Sequence, residues 1–570
     1  MTESQLPTVA ELLAAELEKA GIDLIFGQGS PSALTLAAER RGLRQIGFRT
    51  ENAGTAMADG FARASGRLGC IATQNGAAAA LVAAGLSESF KASIPVLVLV
   101  QDVERAHVDR NAFQEFDHAA LFASCTKWFR RLDDGARALE MLRKAILLAT
   151  SGRPGPVALA IPADVLAERL PQPRAPRSVP AVFPSLRQQP EPAAIAEAAR
   201  LLANARTPII VAGGGVHISG AQADLADLQQ RFALGVATTI MGKGAVSEAD
   251  PLSLGVVGSA MGPGSPSRAM RTLIRSADVV MFVGNRTNDN GTASWNLFPG
   301  SAEFIHVDVA VDEAIRNYPA LPLIGDARTT LRALSLAMAG LADAESGAAR
   351  RRPLLADAIA KARAATADEV AALTLRSGDP LRPEHLMHVL QDRSPRDTVF
   401  VADASYSSLW VSQYLQAHES GRRFLFPRGL AGIGWGYPLA LGARLALPST
   451  PVVAVVGDGG FSHCWAELEC AVRHGIDVKL IVLNNAVLGF QRHAEMLRFG
   501  QPTEVCAITR IDHAMIARAV GCANATVASA SELPAALDAM FAEKGPSLLD
   551  VHVDPGAFPP IAGFARLQAS

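Results

Sequence analysis

Apolar residues along the chain fall into two alternating patterns. Short strand-like runs rich in β-branched residues occur at Gly69–Thr73, Val96–Val100, Val157–Ile161, Pro208–Val211, Val279–Val283, Phe304–Val309, Val452–Val456 and Val478–Leu483, most of them unbroken by polar residues. Longer Ala-rich stretches with polar residues lie between them. A run of four to six apolar residues, with no polar alternation, predicts a strand buried on both faces. The alternation with helical stretches predicts repeated βα units and mainly parallel sheets.

Two interruptions divide this pattern. Pro171–Pro192 carries seven prolines among polar residues, which predicts an extended linker. Ala342–Arg352 and Ala356–Thr374 are charged and Ala-rich, which predicts a solvated helical connection. The expected fold class is α/β, with three doubly wound domains near residues 1–180, 190–345 and 375–555. The length of 570 residues agrees with three or four domains at roughly 150 residues each. No short-period repeat is visible. The first and third blocks are candidates for one shared fold, which inspection of the sequence does not decide.

Composition narrows the function classes. Lys and Arg number 53 and Asp and Glu 55, a formal net charge of −2, so a nucleic-acid partner is not expected. With 49% hydrophobic and only 19% charged residues, wholesale disorder is not expected either. The first residues are acidic and amphipathic, unlike a secretory signal, and no uncharged apolar run reaches the roughly 18 residues of a membrane span. The expected location is cytoplasmic, without membrane partners. The six cysteines include no C-x-x-C and are expected to be reduced and mostly buried.

The strongest chemical signal spans Pro451–Phe490. A strand, VVAVV, runs into Gly457-Asp458-Gly459-Gly460, a helix is expected over FSHCWAELECAVRHG, and a second strand, VKLIVL, ends at Asn484-Asn485. Asp458 then stands at the carboxyl end of a strand, where open α/β sheets bind ligands. Glycines let backbone amides approach an anion, and a helix N-terminus favours negative charge. A diphosphate brings a hard cation that needs oxygen ligands. The Asp458 carboxylate, the Asn485 amide oxygen and the Val487 carbonyl can supply them. A tight turn with Asp as a helix cap is the structural alternative. GDG followed after 24 residues by NN, both at strand ends, is more specific than a lone GDG.

This arrangement resembles the diphosphate–Mg²⁺ motif of thiamine-diphosphate (ThDP) enzymes. The resemblance implies Asp458, Asn485 and Val487 as metal ligands, with Gly457, Gly459, Gly460, Ser405 and Tyr406 around the diphosphate. It implies that the three blocks are a pyrimidine-binding, a central Rossmann-like and a diphosphate-binding domain. Phe48–Arg63 is similar to the family's glutamate segment, which implies Glu51 as the acid/base partner of the cofactor's pyrimidine ring. By position in Gly429–Gly434, Ile433 is implied as the wedge between the two cofactor rings, and the Ala431 carbonyl as the partner of the amino group. Family resemblance also implies a homodimer or homotetramer, with Glu51 acting on ThDP held by a partner subunit.

The resemblance is nearest to acetolactate (acetohydroxyacid) synthase catalytic subunits. It is carried further by Ala112–Glu115, Ser124–Trp128, Ala149–Val157 and Thr238–Gly244. It implies decarboxylation of a 2-keto acid and acyl transfer to a carbonyl acceptor, with Gln114 over the thiazolium and Phe113 beside the substrate. Three departures bear on the substrate. The first loop reads Gln28-Gly29-Ser30-Pro31 where the synthases have an aromatic and paired glycines. Ala494 after His493 replaces a tryptophan nine residues beyond Asn485, and Tyr406-Ser407 replaces Gln-His. They point to a different acceptor, larger if Ala494 leaves space, or to a lyase or decarboxylase on the same scaffold, resembling benzaldehyde lyase or 2-hydroxyacyl-CoA lyase. A non-catalytic nucleotide-binding relic is the remaining alternative, disfavoured by Glu51, Asp458 and Asn485 occurring together. Gly213-Gly214-Gly215 and Val283–Arg286 resemble the synthases' FAD-binding domain, but Arg286-Thr287-Asn288-Asp289-Asn290 departs from Arg-Phe-Asp-Asp-Arg. FAD, ADP or CoA, or no ligand, stays open there. His385 and His388 beside Glu384, and His107 and His118 around Phe113, are read as surface or loop histidines.

Overall fold

The computed structural model describes residues 6–171, 177–421 and 423–568. Residues 172–176 of the Pro-rich linker lie outside the described residues. Three six-stranded sheets follow one another along the chain. The first contains β1 (Leu24–Gly27), β2 (Arg44–Ile46), β3 (Gly69–Thr73), β4 (Val96–Asp102), β5 (Trp128–Arg131) and β6 (Val157–Pro162), in the order β2-β1-β3-β4-β6-β5. The second contains β7 (Pro208–Ala212), β8 (Gly235–Thr238), β9 (Ser253–Val256), β10 (Val279–Val283), β11 (Glu303–Asp308) and β12 (Ala320–Ile324), in the order β12-β11-β10-β7-β8-β9. The third contains β13 (Val399–Ala402), β14 (Phe424–Leu425), β15 (Val452–Gly457), β16 (Val478–Asn484), β17 (Ala523–Val527) and β18 (Ser547–His552), in the order β14-β13-β15-β16-β18-β17. Every neighbouring pair is parallel.

The third sheet repeats the strand order of the first, which answers the question the sequence leaves open. The central sheet differs. Counted from its own first strand, β7, its order is the dinucleotide-fold order, with the direction of winding reversing between β7 and β10. The central strands are buried on both faces, because helices cover each side of a parallel sheet.

One hydrophobic core joins the first and third sheets. It contains Met57 and Phe61 from the first domain with Tyr437, Leu439 and Val456 from the third. The helices Glu51–Ser65 and Gly436–Ala446 cross backbone to backbone in this core. A Cβ at Gly60 would run into the Leu439 carbonyl, and one at Gly442 into the Met57 carbonyl.

Both expected connections differ from their sequence reading. The described part of the Pro-rich segment is pinned to the first domain by Ala181 N–H to the Ala20 carbonyl (2.8 Å) and Phe183 N–H to the Gly66 carbonyl (3.0 Å). The charged Ala-rich stretch is one 31-residue helix, Ala344–Thr374, with Ala348, Arg351, Leu355 and Ile359 buried. Its charge density suggests solvent, yet the Arg351 guanidinium donates to the carbonyls of Ala205, Phe232 and Ala233. These lie at the C-terminal ends of the helices Pro192–Asn204 and Gln222–Phe232, where unpaired carbonyls favour a cation. The helix expected after the GDGG motif also differs. A four-residue helix, Asp458–Phe461, is followed by a turn, and the longer helix starts at Glu467 and ends at His474. All six cysteines are free and buried. Among the described residues no helix is long and apolar enough to cross a membrane.

Candidate active site

β15 and β16 are adjacent, so their carboxyl ends present Asp458 and Asn485 side by side. Asp458 Oδ2 accepts the Ala486 N–H at 2.7 Å, and Oδ1 accepts the Gly459 N–H at 2.8 Å. Asn485 Oδ1 accepts the Val487 N–H at 3.2 Å. The predicted set Asp458, Asn485 and Val487 is thus brought together by a tight turn through Ala486, which has positive φ. The donors are a carboxylate, an amide oxygen and a peptide carbonyl, all hard ligands suited to Mg²⁺. Burial pushes the Asp458 carboxyl above its usual range, against the pull of its backbone donors. A bound dication would reverse that direction. Among the described residues no three His, Cys, Asp or Glu side chains cluster as a metal site, so a cation here would depend on amide, carbonyl and ligand oxygens. The neighbouring Asn484 has a structural job. It is fully buried, and its Nδ2 donates to the Ile511 carbonyl and to Asp550 Oδ1, both at 2.9 Å.

Asp403, missed in the sequence, organises the next loop. It follows β13, is 1% exposed, and accepts N–H bonds from Gly434 (2.9 Å) and Gly436 (3.0 Å). Gly460 leaves the room its carboxylate occupies, since any Cβ there would meet Asp403 Oδ2. Burial raises the Asp403 carboxyl, opposed by its backbone donors. The turn bearing half-buried Ala431 and Ile433 is therefore fixed at one end to the Asp458 loop. Its other end is held by Glu88 of the first domain, which accepts the N–H groups of Gly429 (2.7 Å), Leu430 (2.7 Å) and Ala431 (3.2 Å). Glu88 pairs with Arg63, which donates to the Phe426 carbonyl at 2.8 Å and is paired with Asp59. The available signals were an acid immediately beyond a buried strand, and a lone buried acid in the Ala-rich helix Ala77–Ala92.

Ser405 adopts positive φ and starts the helix Tyr406–Tyr414. The Tyr406 side chain is held within the third domain. It is 8% exposed, its hydroxyl lies 2.8 Å from His493 Nδ1, and its ring packs with Trp410, Phe490 and Phe564. Half-buried Ala494 packs against the same cluster.

The first-domain residues form a second group. Glu51 opens the helix Glu51–Ser65. The amides just before it, Arg49 N–H and Thr50 N–H, donate to Glu467 at 3.1 and 3.0 Å. Glu467 is 1% exposed, and burial pushes its carboxyl up to about 7. Gln114 has positive φ, and its Oε1 is buried without a partner. Phe113 is 83% exposed. His118 is a buried core residue, unlike the loop residue expected: its Nε2 accepts the Gly76 N–H at 3.2 Å, and its Nδ1 faces Asp102 at 3.5 Å. It thereby braces the turn against which Gln114 packs. His107 is exposed beside Glu104, and His385 Nδ1 lies 2.8 Å from the Thr374 carbonyl. Among the described residues, Glu51 and Asp458 line neither the central cleft described next nor two other cavities of the chain.

A cleft of 220 Å³ lies at the reversal point of the central sheet. Gly213 and Gly215 abut the Gly284 backbone so closely that side chains are excluded. Arg153, Arg286 and Asp308 line the cleft, and Ala431 lies at its wall. Burial pushes the Asp308 carboxyl up to about 6.

Three family models match the chain in succession. They are the thiamine pyrophosphate enzyme N-terminal TPP binding domain (residues 7–121), the central domain (195–334) and the C-terminal TPP binding domain (403–551). The probable acetolactate synthase large subunit of Methanocaldococcus jannaschii is 31% identical over 98% of this chain and 94% of that protein. The acetolactate synthase of Arthrospira platensis is 30% identical, covering 97% and 96%. The acetolactate synthase isozyme 2 large subunit of Escherichia coli is 29% identical, covering 96% and 95%.

Proposed function

The chain belongs to the thiamine pyrophosphate enzymes, and on that premise we propose how its residues perform an acetolactate-synthase-like reaction. A 2-keto acid is decarboxylated and its acyl unit passes to a carbonyl acceptor. The observation that carries the reading is the oxygen set of Asp458, Asn485 and Val487 at the adjoining ends of β15 and β16. These three hold Mg²⁺, and the backbone at Gly457, Gly459, Gly460, Ser405 and Tyr406 receives the diphosphate. When bound, ThDP would supply a carbon nucleophile and an electron-poor ring that accepts the electron pair left by loss of CO₂. Glu51 holds and returns a proton at the pyrimidine nitrogen. The Ala431 carbonyl would accept from the pyrimidine amino group, and Ile433 would pack against the bound cofactor. Gln114 offers its amide to the substrate carbonyl, and Phe113 shields the substrate from water.

Glu51, Phe113 and Gln114 serve a cofactor held by another subunit in a homodimer or homotetramer. Support comes from exposed apolar side chains on both halves of the site: Val108, Phe113 and Phe116 on the first domain, and Leu430 and Phe490 on the third. Exposed apolar groups clustered at functional loops are typical of surfaces covered on assembly. We place the domain limits at 1–180, 190–345 and 375–555 and the enzyme in the cytoplasm. The central cleft takes a nucleotide-bearing cofactor, FAD foremost, since its glycines sit at the reversal point of the sheet. A yellow purified protein supports FAD, and a colourless one that releases ADP or CoA replaces it.

The second reading, a lyase or decarboxylase, is favoured by Tyr406, His493 and Ala494 where the synthases carry other residues. Incubation of the ThDP- and Mg²⁺-loaded protein with pyruvate distinguishes the two. Acetolactate is the expected product. Acetaldehyde alone, or no turnover while a 2-hydroxyacyl-CoA is cleaved, overturns the transferase reading.

A further inference from the structure

A cavity of 560 Å³, larger than the central cleft, opens beside the helix Ala344–Thr374 where it passes from the central domain to the third. Its volume lies within the roughly 300–1,000 Å³ typical of small-ligand pockets. Arg363, Thr366, Val370 and Thr374 line one wall. Spaced three and four apart, they form one continuous face of that helix. The opposite wall includes Val256 and Met270 from the central domain and Gln413 and Leu415 from the third. The cavity is separate from the Asp458 loop and from the central cleft, and no step of the proposed reaction uses it.

Two of its polar groups, Arg363 and Gln413, offer donors to a ligand. Lys243 Nζ lies 2.7 Å from both oxygens of Glu248, so that pair cancels. Arg363 spends one nitrogen, Nη2, on the carbonyls of Glu248 (3.0 Å), Asp250 (2.9 Å) and Ser253 (2.8 Å). Among the described residues no carboxylate forms an ion pair with Arg363. Gln413 is 8% exposed; its Oε1 accepts from Ser265 Oγ at 2.8 Å, while its Nε2 is buried without a partner. Thr366 Oγ1 donates to the Pro266 carbonyl at 3.2 Å, which joins the Ser265–Gln413 contact to the turn of helix next to Arg363. An unpaired buried N–H is a costly arrangement; half-buried Arg363 feels Glu248 and Asp250 at a distance, without an ion pair, and directs only Nη2 to protein carbonyls. A carboxylate satisfies both groups, and guanidinium matches its planar geometry.

We propose that this cavity binds a small amphipathic monocarboxylate. Its carboxylate sits on Arg363 and the Gln413 amide, and its apolar chain lies along Val256, Met270, Val370 and Leu415.

The test is calorimetric titration of the full-length protein, loaded with ThDP and Mg²⁺, with octanoate, 1-octanol and octylamine. Saturable octanoate binding is expected, at least about tenfold tighter than octanol, with octylamine silent. Ala371→Trp, which fills the cavity from the helix wall, is expected to abolish that binding while 2-keto acid turnover persists. Should that variant not fold, Ala367→Phe on the same wall serves in its place. Arg363→Lys keeps the charge but loses the fork, and is expected to weaken binding by about tenfold. Absence of saturable binding, or equal binding of octanol and octanoate, overturns the proposal. So does octanoate binding that survives the cavity-filling variant, because it places the acid in the 2-keto acid pocket.

Discussion

A carboxyl buried against two peptide N–H groups is pulled both ways, since burial favours the neutral form and the donors favour the charged one. At Glu467 burial prevails. An unfolded glutamate titrates near 4.5, whereas the folded one is pushed up to about 7, so the folded state keeps a proton that the unfolded state has lost in between. This contribution is fully present below pH 4.5 and disappears as pH rises through about 7. Relative to Glu467→Gln, the protein should lose up to about 3 kcal/mol of stability across that window, read by urea unfolding at a series of pH values. A constant difference between the two proteins would show that Glu467 does not titrate there. At Glu51 the expectation is chemical. Glu51→Gln should lower turnover by about 10²–10⁴-fold without unfolding the protein, and unchanged turnover would remove Glu51 from the mechanism. As an isolated glutamate at a helix start it reads as a favourable charge on the helix dipole; its proposed role rests on the segment around it. Asp403 and Glu88 left only weak signals, an acid just after an apolar run and an acid in an Ala-rich helix, because each acts through backbone amides more than 25 residues away, and such a partner leaves no local pattern.

The long buried strands were the most legible elements. Val279–Val283 and Gly69–Thr73 match their apolar runs, since a strand covered on both faces must be apolar throughout. The helix after Asp458 was misjudged because apolar spacing is blind to a turn that satisfies its own backbone, as at Ser462–Ala466. The connecting helix Ala344–Thr374 was misjudged because charge was taken for solvent exposure, although Arg351 lies buried on helix ends. At this scale the loop Gly429–Ala431 invites a direct test. Glu88→Gln removes the charge that gathers three of its amides and leaves Arg63 with one fewer carboxylate partner. A loss of about 3 kcal/mol in unfolding free energy is expected, together with a higher ThDP concentration for half-maximal activity. A change below about 0.5 kcal/mol would show that the contact is dispensable.

The repeated strand order of the first and third sheets makes the chain a pair of like folds with a dinucleotide-type fold between them. If the proposed active site is shared between subunits, two damaged chains should repair each other. Mixed after denaturation and refolding, Glu51→Gln and Asp458→Asn subunits should recover about a quarter of wild-type activity, since half the dimers are hybrid and one of their two sites is intact. No recovery would place Glu51 and Asp458 in the same subunit's site. The helix crossing at Gly60 and Gly442 then acquires a kinetic meaning. On that proposal one helix begins at Glu51, which would serve the partner's cofactor, and the other follows the Ile433 turn, which would serve the chain's own. Backbone against backbone, with no side chain between to absorb a shift, the two helices form a stiff strut joining one reaction centre to the other. The dimer's two centres should therefore not run on independent clocks. Binding of an unreactive 2-keto acid analogue at one centre should slow or weaken its binding at the other, read as two unequal phases in rapid-mixing fluorescence.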